Sequence, residues 1–135
     1  MLLNIMDKRL TLASEFLEEA QRQLKKHEET KKELNLRQAC EKGWGSVAQA
    51  LKAVNPKIKY HRDFGETAAK LARKYNQQEI VHGEMCGEAL HRSGFYEGRL
   101  SALIVEDSLK CIDNFLKSID NILNNGNSNL VKEKS

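Results

Sequence analysis

A chain of 135 residues, 40% apolar and 30% charged, has the size of one compact domain, and this balance excludes both an apolar-poor disordered chain and a membrane-embedded one. No run approaches the roughly 18 to 20 apolar residues of a membrane span, and the opening MLLNIMDKRL lacks the apolar stretch and small-residue cleavage site of a secretory leader. A soluble, cytoplasmic protein with no membrane contact is the expectation. The net charge of +3 is too small for a dedicated nucleic-acid coat protein, but it is unevenly spread: region 52–74 carries seven basic residues against Asp63 and Glu66. Cys40, Cys86 and Cys111 are far apart and form no CxxC pair, which fits reduced, buried thiols rather than disulfides or a zinc site.

Proline occurs once, and no segment alternates strictly between apolar and polar residues, so helical spacing is the informative signal. A first helix is expected after Asp7, whose short carboxylate can cap it, with Leu10, Ala13, Phe16, Leu17, Ala20 and Leu24 at intervals of three and four. A second, over 30–54, carries Leu34, Cys40, Trp44, Val47, Ala48, Leu51 and Val54, and Asn55-Pro56 stops it. A third opens on Asp63-Phe64-Gly65-Glu66, a capping-box pattern with Asp in the Ser/Thr place, and continues through Ala68, Ala69, Leu71, Ala72 and Tyr75.

A fourth helix, 78–90, contains Gly83 and Gly87, which each cost about 1 kcal/mol relative to alanine and so point to close helix contact. Ser93-Gly94 is expected to interrupt it as a hinge. A long last helix, 102–123, aligns Val105, Leu109, Ile112, Leu116, Ile119 and Leu123, and Asn124-Asn125-Gly126-Asn127 should end it. At about 1.5 Å per residue the three long helices would span roughly 30 to 36 Å. The fold class is therefore all-α, an up-and-down bundle of about five helices. It forms a single domain over 1–124, with a polar, mobile tail at 125–135. Phe115 and Ile122 widen the last stripe, which is the reason to expect a homodimer.

Several constellations bear on chemistry. Glu79/His82 and Glu88/His91 both have the E-x-x-H spacing of di-iron bundles, but they lie nine residues apart on one helix, about 13 Å along its axis, and cannot share a metal pair. His82 and Cys86 could supply two ligands to a soft ion, without an identifiable third. Arg22 and His27 have the Arg-x4-His spacing of some ribonucleases, yet five helical positions turn them in different directions. His61 and Arg62 stand beside Lys57, Lys59 and Tyr60 at a helix start, where free amides favour anions. His91, Arg92 and Glu97 belong to the most distinctive stretch, Leu90-His91-Arg92-Ser93-Gly94-Phe95-Tyr96-Glu97-Gly98, whose composition reads as a bend with Phe95 and Tyr96 plugging the core. No phosphate-binding Gly-rich loop, nucleophile elbow, catalytic residue set, metal site or cofactor site is identified.

The stretch Ala39-Cys40-Glu41-Lys42-Gly43-Trp44, followed by Ala50-Leu51-Lys52-Ala53, resembles a helix of the archaeal PaREP-type proteins. The later Leu90-His91 with Phe95-Tyr96-Glu97-Gly98 resembles their "L-H … F-Y-E-G" segment. The resemblance covers roughly residues 7–124. It implies a HEPN-like helical bundle, a group in which many members dimerise, accompany nucleotidyltransferases or cut RNA, and it implies packing or hydrogen-bonding roles for Glu41, Lys42, Trp44, Lys52, His91, Tyr96 and Glu97. The Arg-x4-6-His motif of active HEPN ribonucleases is absent where the family carries it, because no histidine follows His91.

The reading that follows is a non-enzymatic, dimeric binding or partner module for a nucleotide or RNA, with a nucleotidyltransferase as a candidate protein partner. Its binding residues would be Lys57, Lys59, His61, Arg62, His91, Arg92 and Glu97. A degenerate or unconventional ribonuclease using His61 or His91 is the first alternative. A metal-binding bundle through His82, His91 and nearby carboxylates is the second.

Overall fold

The computed structural model describes the backbone of residues 2–134 and the side chains of residues 6–124. Within them the elements are α1 (Leu2–Thr30), α2 (Glu33–Val54), α3 (Arg62–Tyr75), α4 (Gln78–Ala89), a π-helical segment (Leu90–Tyr96) and α5 (Ala102–Lys134). The architecture is all-helical, as the apolar spacing predicts, and no strand occurs among the described residues.

α1 and α2 form a hairpin closed by Lys31 and Lys32. Lys31 takes a left-handed φ of 61°, and its N–H reaches the His27 carbonyl at 2.7 Å. Moving outward from that turn, Asn35 donates to Gln23, the Ser46 hydroxyl to the Ala13 carbonyl, and Arg9 to Gln49, the symmetric pairing of antiparallel helices. Ser46 is fully buried, so its bond at 2.7 Å satisfies a hydroxyl that would otherwise be costly in the interior.

α2 is the central member and touches every other element. Its buried face is Leu36, Ala39, Cys40, Gly43, Trp44, Val47 and Leu51. The core is completed by Ala13, Leu17, Ala20 and Leu24 of α1, Phe64 and Ala68 of α3, Ile80 of α4, and Val105, Leu109, Ile112, Phe115 and Ile119 of α5. Gly83 lets α4 lie directly on Phe115, since a Cβ there would run into that residue's Cβ and ring Cγ. The spacing of Gly83 and Gly87 therefore marks a real close approach.

Several expectations are corrected. α1 begins before Asp7, which lies inside the helix and caps nothing. Leu34 is 67% exposed and Leu36 takes the core position, because the turn at Lys31 and Lys32 starts α2 at Glu33 and sets its phase. Asp63 does not cap α3. Its Oδ2 instead accepts the N–H groups of Tyr60 (2.9 Å) and Lys59 (3.1 Å), bonds that hold its carboxyl below the usual range. Ser93-Gly94 is no hinge: the helix continues through it in π geometry, and Gly94 packs on Cys40 so closely that a Cβ would overlap the thiol. Phe115 and Ile122 are buried within this chain and leave no apolar excess on the last stripe. α5 does not end at Asn124 but runs to Lys134, while the side chains of 125–135 lie outside the described residues.

Candidate functional site

Three elements converge on one ring. Trp44 projects from α2, His61 from the turn entering α3, and His91 from the first turn of the π-helical segment. The Trp44 ring lies 5.3 Å from each imidazole, at 32° to His61 and 30° to His91. The two imidazoles stack on each other at 5.7 Å and 23°. Phe64 meets Trp44 edge-on at 5.1 Å and backs the cluster from α3.

The π geometry explains how the outer wall is built. In an i→i+5 helix, residues five apart occupy one face, so Tyr96 stands over His91 edge to face at 4.9 Å. An α-helix would rotate them apart. The segment is closed by Gly98 at φ 65° and by the Arg99 N–H bonding the Ser93 carbonyl at 2.7 Å, the left-handed stop that helix ends favour. Gly98 is also where the Arg37 guanidinium of α2 crosses, though it is the positive φ rather than that flexible group that favours glycine there. The outer rings stay open to solvent: Tyr96 is 66% exposed and the His61 side chain 42%.

Each imidazole is held by a carboxylate. His61 Nε2–H donates to Glu88 Oε2 at 2.7 Å, with Oε1 of the same carboxylate 2.6 Å away, and His91 Nδ1–H donates to Glu41 Oε2 at 3.0 Å. A carboxylate accepts only, so the bonded nitrogen carries the hydrogen in each case. The opposite nitrogens, His61 Nδ1 and His91 Nε2, are left for other partners. Arg92 Nε lies 3.8 Å from Glu88 Oε2.

Behind Glu88, on the same face of α4, lies Glu84, only 7% exposed. Burial first, and then the neighbouring Glu88 carboxyl, push Glu84 up to about 7. Its buried Oε2 has no hydrogen-bond partner among the described residues.

The residues expected to bind a ligand are distributed unevenly. His61 and His91 meet directly, and Arg92 joins them through Glu88. Arg62 lies over the Tyr60 ring at 5.6 Å, next to the cluster in sequence, and Lys57 and Lys59 are exposed on the preceding turn. Glu97 is turned to Arg99 at 3.0 Å. Glu88 pairs with His61 across 27 positions rather than with His91 three positions on. The bend residue Tyr96 does not plug the core.

Arg22 is bonded to Glu19 and His27 to the Lys32 carbonyl, so the two do not converge. His82 is exposed, and the Cys86 thiol is pushed up to about 12 by burial and then by the neighbouring free thiol of Cys111. Burial likewise pushes Cys40 up to about 12. Among the described residues no group of three or more His, Cys, Asp or Glu side chains is arranged to hold a metal ion, so the metal reading through His82 and His91 is not supported. No helix among the described residues is long and apolar enough to cross a membrane.

Sequence reasoning missed Glu84 and the central part of Glu88. One signal was available: Glu84 follows Gly83 on the Ile80-Gly83-Gly87 face, where a carboxylate among core positions demands an explanation.

Compared with known proteins, the chain matches at residues 8–116 a family described as the archaeal PaREP1/PaREP8 family. No curated protein and no solved structure matches it.

Proposed function

We propose that this chain, which belongs to the archaeal PaREP1/PaREP8 family, is a HEPN-like binding module whose aromatic patch takes single-stranded RNA or a nucleotide. The observation that carries this reading is the meeting of solvent-open rings with cations. Tyr96 and His61 offer faces to an unstacked base, and Arg62, Arg92, Lys57 and Lys59 flank the same end of the bundle with charges suited to phosphates. The openness of the patch favours a strand that continues past it. A homodimer, and a nucleotidyltransferase as protein partner, belong to this proposal through the family.

Binding of labelled single-stranded RNA, followed by anisotropy across a salt series, tests it. Reversing Lys57, Lys59 and Arg62 to Glu should weaken binding and lower the slope of log K against log salt by about 2. No binding at low salt would sink the reading. Sedimentation at high micromolar concentration tests the dimer separately, and a strict monomer removes it.

A second reading, a metal-independent ribonuclease, is favoured by one observation: two adjacent imidazoles, each oriented by a carboxylate through one nitrogen, with the other free. One could take the 2′-hydroxyl proton as that oxygen attacks the neighbouring phosphorus, while the other protonates the departing 5′ oxygen. Cleavage of labelled RNA that is lost in both His61→Ala and His91→Ala would establish it. An RNA left intact by the parent chain would remove it.

A further inference from the structure

We infer that Glu84, Glu88 and His61 form one proton-sharing unit, in which a proton held on the buried Glu84 carboxyl leaves Glu88 singly ionised to grip the exposed His61 ring. The inference goes beyond the RNA-binding proposal and stands without it.

Glu84 and Glu88 lie four positions apart on one face of α4, where two neighbouring ionised carboxylates are both acceptors with nothing to bond through. The buried Glu84 oxygen that lacks a partner would then cost several times an ordinary hydrogen bond. A single proton between the two carboxyls removes both faults, since Glu84 becomes a donor and Glu88 its acceptor. Glu88 is then the charged member. It is less buried and faces two cationic or proton-bearing partners, His61 at 2.6 Å and Arg92 at 3.8 Å, whereas Glu84 lies beneath Gly65 of α3, whose position a Cβ would occupy 3.6 Å from Glu84 Oε1.

The surrounding elements add little competing charge. α2 turns Lys52 over the Phe64 ring at 5.8 Å and commits Glu41 to His91, and α5 presents Cys111 to Cys86. The neutral Glu84 and the imidazole therefore compete as donors for the one Glu88 carboxylate. Glu84 is thus a positioning residue that acts on the exposed ring through Glu88.

The test is NMR of the full chain with carbon-13-labelled glutamate carboxyls, in the absence of nucleic acid, so that its failure is separate from a failure to bind RNA. The expected result is one carboxyl that keeps its proton well above the ordinary acid range, is assigned by its loss in Glu84→Gln, and moves when His61→Gln removes the partner of Glu88. The measurement on the unaltered chain stands even should Glu84→Gln not fold. Complete ionisation of every glutamate carboxyl in the ordinary acid range would overturn the inference, as would a raised carboxyl unmoved by His61→Gln.

Discussion

The imidazole of His91 lies on the indole of Trp44 with ring centroids 5.3 Å apart, and the same indole carries His61 at 5.3 Å on the α3 side. Trp44 is the only tryptophan of the chain, so its emission reports both imidazoles. Replacing either stacked ring changes the surroundings of the indole, so emission at fixed pH should shift in His61→Gln and in His91→Gln and shift most in the double variant. An emission identical in parent and all three variants would contradict the stacked arrangement.

Glu84 links stability to pH with a definite sign. Its folded-state proton affinity is raised from the ordinary 4.5 to about 7, so the native chain binds the proton more tightly than the unfolded chain. Its contribution is fully present below about pH 4.5 and is lost as pH rises through about 7. The shift corresponds to at most about 3 kcal/mol. Glu84→Gln should remove this slope, so that urea midpoints of variant and parent agree near pH 4.5 and the variant is the more stable at pH 8.

Glycine substitutions should rank by what the new methyl meets. Gly83→Ala drives Cβ into Phe115 at the centre of the α4–α5 contact, where neither backbone nor ring can give way, and should cost at least about 2 kcal/mol. Gly45→Ala meets only the partly exposed Phe16 ring at 3.3 Å and gains helix propensity, so it should stay within about 1 kcal/mol of the parent. Thermal unfolding of the two variants side by side measures the difference.

The Glu41–His91 pair should show modest coupling. Both side chains are partly solvated, at 35% and 18% exposure, so a double-mutant cycle of Glu41→Gln and His91→Gln should give about 0.5 to 1 kcal/mol. A value near zero would mean that Trp44 and Tyr96 alone hold the ring.

The helices were legible because apolar residues at intervals of three and four mark buried faces directly, as Ala13-Leu17-Ala20-Leu24 and Val105-Leu109-Ile112-Ile119 do. The phase of α2 was not, because it depends on a left-handed lysine that carries no compositional mark. The candidate site was half legible. His61 and His91 each stood in a conspicuous stretch, but their stacking on Trp44 requires α2, α3 and the π-helical segment to be in place. The Tyr96–His91 contact follows from an i→i+5 turn that no apolar period reveals. Glu88 was read against its neighbour three positions on, when its partner lay 27 positions back.

The hairpin closed at Lys31 and Lys32 brings its two helices together across a gap of two residues, so it can form early at little entropic cost. Trp44, His61 and His91 can meet only after much longer loops have closed. The paired imidazoles consequently depend on contacts that the hairpin alone does not supply, so the ring stack reports that α3 and the π-helical segment have docked on α2.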